Sequence, residues 1–208
     1  MEQKNSVIDN ILFLYLMKDR QKFSQKKIVK LLFLSELEME KDNLLGFDFH
    51  FIRYKYGPYA FEIPGIQDFL HQYKIIDSIT LDFSIFIYNN SFITSYGTML
   101  LNEFDELFKI NKSIIQKIDS TLRKFSKFSG RQLEAYCYNL ETNNVKIRDI
   151  PLYQTLLNPK KDPGNKKKFE IAEEWIETFY LLLDKSNYSQ IKNAIAINRK
   201  FPATKYSN

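Results

Sequence analysis

The chain has 208 residues, is 44% hydrophobic and 15% aromatic, and carries 18 Phe and 13 Tyr, which is ample for a core and excludes a disordered segment. No apolar run reaches the roughly 18 residues a membrane span needs, and a single cysteine, Cys137, excludes an internal disulfide. The net charge of +5 is uneven: residues 1–110 hold 12 Lys/Arg against 15 Asp/Glu, and residues 111–208 hold 18 against 10.

The first predicted element is a helix over 5–18, where Val7, Ile8, Ile11, Leu12 and Tyr15 recur at 3.6-residue spacing. Its apolar stretch 11–17 lacks a basic leader and a small-residue cleavage site, so it reads as a buried helix rather than a signal peptide. After a polar break over 18–22, Ser24 is an N-cap, with Phe23 and Ile28 at the staple positions. The helix over 25–41 carries Ile28, Leu31, Leu32, Leu34, Leu37 and Met39, a surface broad enough for the centre of the protein. Glu36, Glu38 and Glu40 cannot share one face of it, which argues against a metal site.

A turn over 42–46 leads into Phe47, Phe49 and Phe51, whose alternation predicts a short strand. Tyr56-Gly57-Pro58 then makes a corner. Gly57 opens backbone geometry closed to other residues, and Pro58 suits the first turn of a helix. That helix is predicted over 59–73 with Ile66, Phe69, Leu70 and Tyr73 inward, and Pro64 either kinks it or opens its regular part. Alternating Ile79, Leu81, Phe83, Ile85 and Ile87, a turn at Asn89-Asn90 and a return over 91–94 predict a β-hairpin. Beyond Thr94 helices are predicted over 96–109, 111–126, 129–141, 166–185 and 187–197. Residues 158–165, with two prolines and a glycine, are the clearest loop, and the tail after Phe201 is expected to fray.

Catalytic and metal motifs are scarce. His50, His71 and Cys137 are far apart in sequence and do not form the close ligand pairs of a zinc site. There is no Gly-rich phosphate loop and no G-x-S-x-G elbow. The run 184–190 lacks the glycine and terminal glutamate of a calcium loop. The reading is therefore of a non-enzyme with no cofactor.

The helix–corner–helix–hairpin order over 24–94 has the layout of a winged helix, with 59–73 as recognition helix and 79–94 as wing. Yet that helix carries Glu62 and Asp68, and the hairpin carries Asp77 and Asp82 without Lys or Arg. Phosphate contacts supply most DNA affinity, so the layout alone does not imply DNA binding. The nucleic-acid candidates are instead Lys160, Lys161, Lys166, Lys167 and Lys168; the competing reading is a solubilising loop and helix start. At a helix N-terminus these lysines oppose the macrodipole, so they do not serve helix stability. The candidate protein-binding residues are Tyr54, Tyr56 and Tyr59, framed by Gly57 and Pro58, because tyrosine suits interfaces. The competing reading makes the same rings the core round the corner.

The stretch Lys26-Lys27-Ile28-Val29-Lys30-Leu31-Leu32-Phe33-Leu34, followed by Tyr54-Lys55-Tyr56-Gly57-Pro58, resembles the Panacea domain of SocA-like antitoxins. Members of that family show a K-L-x-K-L-L-Y helix and later a K-Y-G-P corner. The continuation is similar to YwgA-like bacterial and archaeal proteins through Thr94-Ser95-Tyr96-Gly97 at a helix start, and residues 125–133 look like a further family segment. The likeness covers about residues 5–140. It implies an interaction module that neutralises a toxin, or a regulatory partner in a phage- or defence-associated system.

The combined expectation is a cytoplasmic α+β protein, mostly α: a helical domain with a short strand and a β-hairpin in a winged-helix-like arrangement. A Panacea/YwgA-like domain is expected over 1–145, with a helical C-terminal extension over 146–208 packed on it. The expected partner is another protein, a toxin encoded nearby, and no membrane. The alternative is a winged-helix-like nucleic-acid-binding transcriptional regulator that uses the lysine clusters.

Overall fold

The computed structural model describes residues 2–19, 21–82, 87–142, 144–158 and 165–185. In chain order α1 (Glu2–Leu16) leads to β1 (Phe23–Ser24), α2 (Gln25–Lys41), β2 (Leu44–Leu45), β3 (Phe51–Tyr54), β4 (Gly57–Tyr59) and α3 (Glu62–Gln72). Next come β5 (Ile76–Asp82), β6 (Ile87–Ile93), α4 (Ser95–Asn102), α5 (Asp105–Ile110), α6 (Lys112–Phe125) and α7 (Gly130–Asn139). Short strands β7 (Glu141–Thr142) and β8 (Val145–Lys146), a 3-10 turn (Ile147–Asp149), β9 (Thr155–Leu157) and β10 (Lys167–Lys168) precede α8 (Glu173–Leu183). The fold is α+β and mostly helical, as the hydrophobic periods indicate. Two compact units divide the chain, Met1–Glu170 and Ile171–Asn208.

The winged-helix-like arrangement is present and gains a third strand. β1, immediately before α2, pairs antiparallel with β6, and β6 pairs with β5, giving the order β1-β6-β5. Ser24 serves this strand and also caps α2, its hydroxyl accepting from Lys27 N at 3.4 Å. The hairpin itself differs from expectation. Asn89 and Asn90 are paired strand residues opposite Thr80 and Ile79, so the predicted Asn-Asn turn is wrong. Pairing runs on to Asp82 opposite Ile87, and residues 83–86, with Phe83 and Ile85 of the predicted strand, lie outside the described residues.

α2 sits at the centre of the first unit. From Ile28 through Glu36 every residue is buried, because the helix is apolar nearly all round. It packs with Phe47, Phe49 and Phe51, all fully buried; Phe47 stacks on Phe49 at 5.3 Å, and Phe33 meets Phe51 edge-on at 5.3 Å. Burying each such ring contributes roughly 1.5–3 kcal/mol.

The alternation that predicted a strand from Phe47 is thus a correct burial pattern with the wrong backbone. Residues 46–50 form no ladder, and three of their N–H groups are taken by side chains. Phe47 N–H donates to Glu36 at 3.1 Å, Asp48 N–H to Asp9 at 2.9 Å and His50 N–H to Glu62 at 3.0 Å. Three helices each contribute one carboxylate to hold this segment extended. Glu36 is fully buried, and that burial pushes its carboxyl well above the usual range.

Other boundaries shift for local reasons. The helix predicted over 96–109 breaks into α4 and α5 at Glu103-Phe104, with Phe104 buried in the core. α3 buries Ile63, Gln67 and Leu70, while Ile66, Phe69 and Tyr73 are only half-buried. Pro64 lies in its first turn, where a missing N–H costs no intrahelical bond. The helix predicted from 166 starts at Glu173 instead. Lys167 and Lys168 are strand β10, parallel to Leu44-Leu45, so these lysines are not at a helix N-terminus. Glu173 and Glu174 occupy the first turn of α8, where their charge suits the macrodipole. The helix predicted over 187–197 and the tail after Phe201 lie outside the described residues.

Candidate functional site

β3 and β4 form a tight antiparallel pair, Ile52 opposite Tyr59 and Tyr54 opposite Gly57, with Lys55-Tyr56 as the turn. Gly57 has φ 87°. Pro58 lies in β4, an edge strand, rather than in a helix; an edge is the place where a strand tolerates a missing donor. A Cβ added to Gly57 would find room, with Lys30 Nζ at 3.6 Å. The cost of Gly57→Ala is therefore backbone strain, about 1 kcal/mol or more. Chemical denaturation should show a lowered midpoint, and an unchanged midpoint would mean that an ordinary residue fits the corner.

Two helices clamp this corner from inside. Lys30 of α2 is 2% exposed, and its ammonium donates to the Pro58 carbonyl at 2.6 Å. Burial pushes the Lys30 amine down to about 8. Tyr138 of α7 donates its hydroxyl to the Lys55 carbonyl at 2.6 Å, and Arg53 lies over its ring at 4.9 Å. Lys26 bridges Glu134 at 2.6 Å and sits 4.4 Å from the Tyr56 ring centroid. The two stretches that carried the family resemblance thus meet in space: the α2 lysine holds the carbonyl of the Gly-Pro corner.

The outer side is a cluster of rings. Tyr54 stands at its centre, 5.4 Å from Tyr59, 5.7 Å from Phe61 and 5.7 Å from Tyr153. Phe61 and Tyr153 are each 61% exposed, and Leu152 is 50% exposed. Exposed rings this large, grouped rather than scattered, are the usual mark of an interaction site.

Of the sequence-predicted residues, Tyr54 and Tyr59 belong to this surface. Tyr56 is exposed beside Lys26, and Gly57 and Pro58 are buried framework. Sequence reasoning missed Phe61, Leu152 and Tyr153. The last two reach the patch because β9 pairs with β3, a contact across about a hundred residues. The apolar pair Leu152-Tyr153 directly after Pro151 was the only local signal.

Of the five lysine candidates, three lie among the described residues. Lys166 is paired with Glu40 at 2.7 Å, while Lys167 and Lys168 are exposed. Lys160 and Lys161 lie outside the described residues. Among the described residues no group of His, Cys, Asp and Glu could hold a metal ion. His50 Nε2 lies 2.9 Å from the Thr155 hydroxyl. Cys137 is fully buried, and burial pushes its thiol up to about 12, which makes it unreactive.

Fold and surface together define a mostly helical α+β protein with a winged-helix-like core and an aromatic corner. No protein-family model matches this chain, and no curated protein matches it. No helix among the described residues is long and apolar enough to cross a membrane.

Proposed function

We propose that this protein is an interaction module that neutralises a protein partner by covering it, in the manner of the Panacea antitoxins its α2 and corner motifs resemble. A toxin encoded beside it, in a phage- or defence-associated locus, is the partner this reading names. The observation that carries the proposal is the ring cluster in which exposed Phe61 and Tyr153 flank half-buried Tyr54 and Tyr59, on a corner held by Lys30 and Tyr138. A rigid frame supports this reading because rings held in place lose little conformational entropy on binding.

The nucleic-acid alternative draws less support. α3, in the recognition position, contains Glu62 and Asp68 and no Lys or Arg, and Lys166 is engaged by Glu40.

The test is co-expression with the product of the adjacent gene. Growth inhibition by that product should be relieved, and the two proteins should co-purify. Phe61→Ser, at a 61% exposed position, should leave folding intact and weaken the complex at least about tenfold, as removal of an interface ring does. An adjacent product that is harmless alone and fails to co-purify would sink the proposal.

A further inference from the structure

We propose that the ring cluster receives an acidic segment of the partner protein, with Tyr153 as its anchor; this rests on the interaction reading above. Backbone geometry supplies the first argument. Residues 151–154 form a turn closed by Gln154 N–H donating to the Pro151 carbonyl at 3.3 Å. Tyr153 takes the third position with φ 67°. A turn with positive φ there favours Gly or Asn, and a bulky side chain in that region is an outlier.

Arg53 enforces the geometry. Tyr153 N–H donates to the Arg53 carbonyl at 2.6 Å, and Arg53 N–H donates to the Gln154 carbonyl at 2.8 Å. The outcome of this strain is a tyrosine ring that remains 61% exposed beside Tyr54. Folding would be served as well or better by Asn at this position. Strain of this kind is kept where function needs the side chain.

Charge supplies the second argument. The segments 53–61 and 146–155 contribute the rings and their chain neighbours. They hold Arg53, Lys55, Lys146 and Arg148 against Asp149, with Glu62 next after Phe61 and engaged by the His50 N–H. Arg148 and Asp149 make only a loose contact at 3.7 Å. An apolar centre with a basic border complements a partner segment that carries carboxylates round an apolar side chain, and such complementarity speeds encounter.

The experiment measures binding of the adjacent gene product to wild-type protein and to three variants, across a range of salt concentrations. Tyr153→Asn should melt no lower than wild type yet bind at least tenfold more weakly, whereas Tyr153→Phe, which keeps the ring, should bind as wild type. Lys55→Glu combined with Arg148→Glu should slow association and flatten its salt dependence. Ile110→Ser, at an exposed position on α5, should change nothing. Unchanged affinity in Tyr153→Asn and in the charge variant overturns this inference and leaves the interaction reading standing. Absence of any complex with wild type overturns both. A wild-type dimer that Tyr153→Asn converts to monomer shows a second copy on the patch, and also overturns it. A lowered melting temperature for Tyr153→Asn overturns the strain argument, and the charge variant, which leaves the turn intact, then tests docking independently.

Discussion

Gly97→Ala should destabilise the protein by about 3 kcal/mol or more, and the sign of the result is informative. Gly97 lies inside helix α4, where helix propensity alone favours Ala by about 1 kcal/mol. Propensity therefore predicts stabilisation. The packing predicts the opposite, since a Cβ at Gly97 would fall on the Ile75 carbonyl oxygen and lie 2.8 Å from Ile93 Cγ1. Nor can that carbonyl move away. It accepts the Thr94 N–H at 3.0 Å and the Thr94 hydroxyl at 3.0 Å, and the same hydroxyl caps α4 by accepting from Gly97 N. Relieving the clash would break the cap or the junction between β5 and α4. Denaturant unfolding decides between the two predictions, and a raised midpoint would show that the close approach yields.

The second large effect is a pH dependence owed to Lys30. Its amine has an ordinary value of 10.5 and is held at about 8 in the folded protein by burial, which outweighs the help of nearby Cys137 and Glu134. Above pH 10.5 the amine is neutral in both states and costs nothing. As pH falls from 10.5 to 8, the unfolded chain binds a proton that the folded protein does not, so stability falls. Below 8 both states carry the proton and the penalty is complete, about 3 kcal/mol from the size of the shift. Cys137 acts in the opposite direction: its thiol is raised from 9.0 to about 12, so stability falls as pH rises through that window.

Comparison with Lys30→Met cancels the part of the Cys137 contribution that comes from its own burial, which both proteins share, and leaves the coupling between the two groups in the difference. The wild type should gain up to about 3 kcal/mol on the Met variant between pH 8 and pH 10.5. Unfolding free energies of both proteins at pH 7.5 and pH 10 measure this directly. Parallel profiles would mean that water reaches the amine. At neutral pH the charge on Lys30 costs stability relative to the neutral amine, while its ammonium holds the Pro58 carbonyl at the corner.

Short-range signals in the sequence decided a good deal. The α2 boundaries at 25–41, the Ser24 cap and the special backbone at Gly57 were each readable from local sterics and periodicity. Thr94-x-x-Gly97 was readable as a helix start, although its reason, contact with Ile75, was not. Burial of Phe47, Phe49 and Phe51 also followed from their alternation. Only the tertiary structure decided what that alternation meant, because Glu36, Asp9 and Glu62 from three helices claim the backbone donors a strand would have used. It also placed Lys167 and Lys168 in a strand beside β2 rather than in a helix.

The site divides the same way. Tyr54 and Tyr59 could be named from the corner, but their half-buried place at the edge of the surface could not, because the same tyrosines suit a core and a surface equally well. Leu152 and Tyr153 were brought to the corner only when β9 paired with β3, whereas Phe61 meets Tyr54 and Tyr59 from the same stretch of chain. A local period records which residues face inward along one element. It carries no record of which distant group will be brought beside it, so the corner itself was legible in the sequence, while its clamp by Lys30 and Tyr138 and the contribution of Tyr153 to its outer face were settled by long-range contacts.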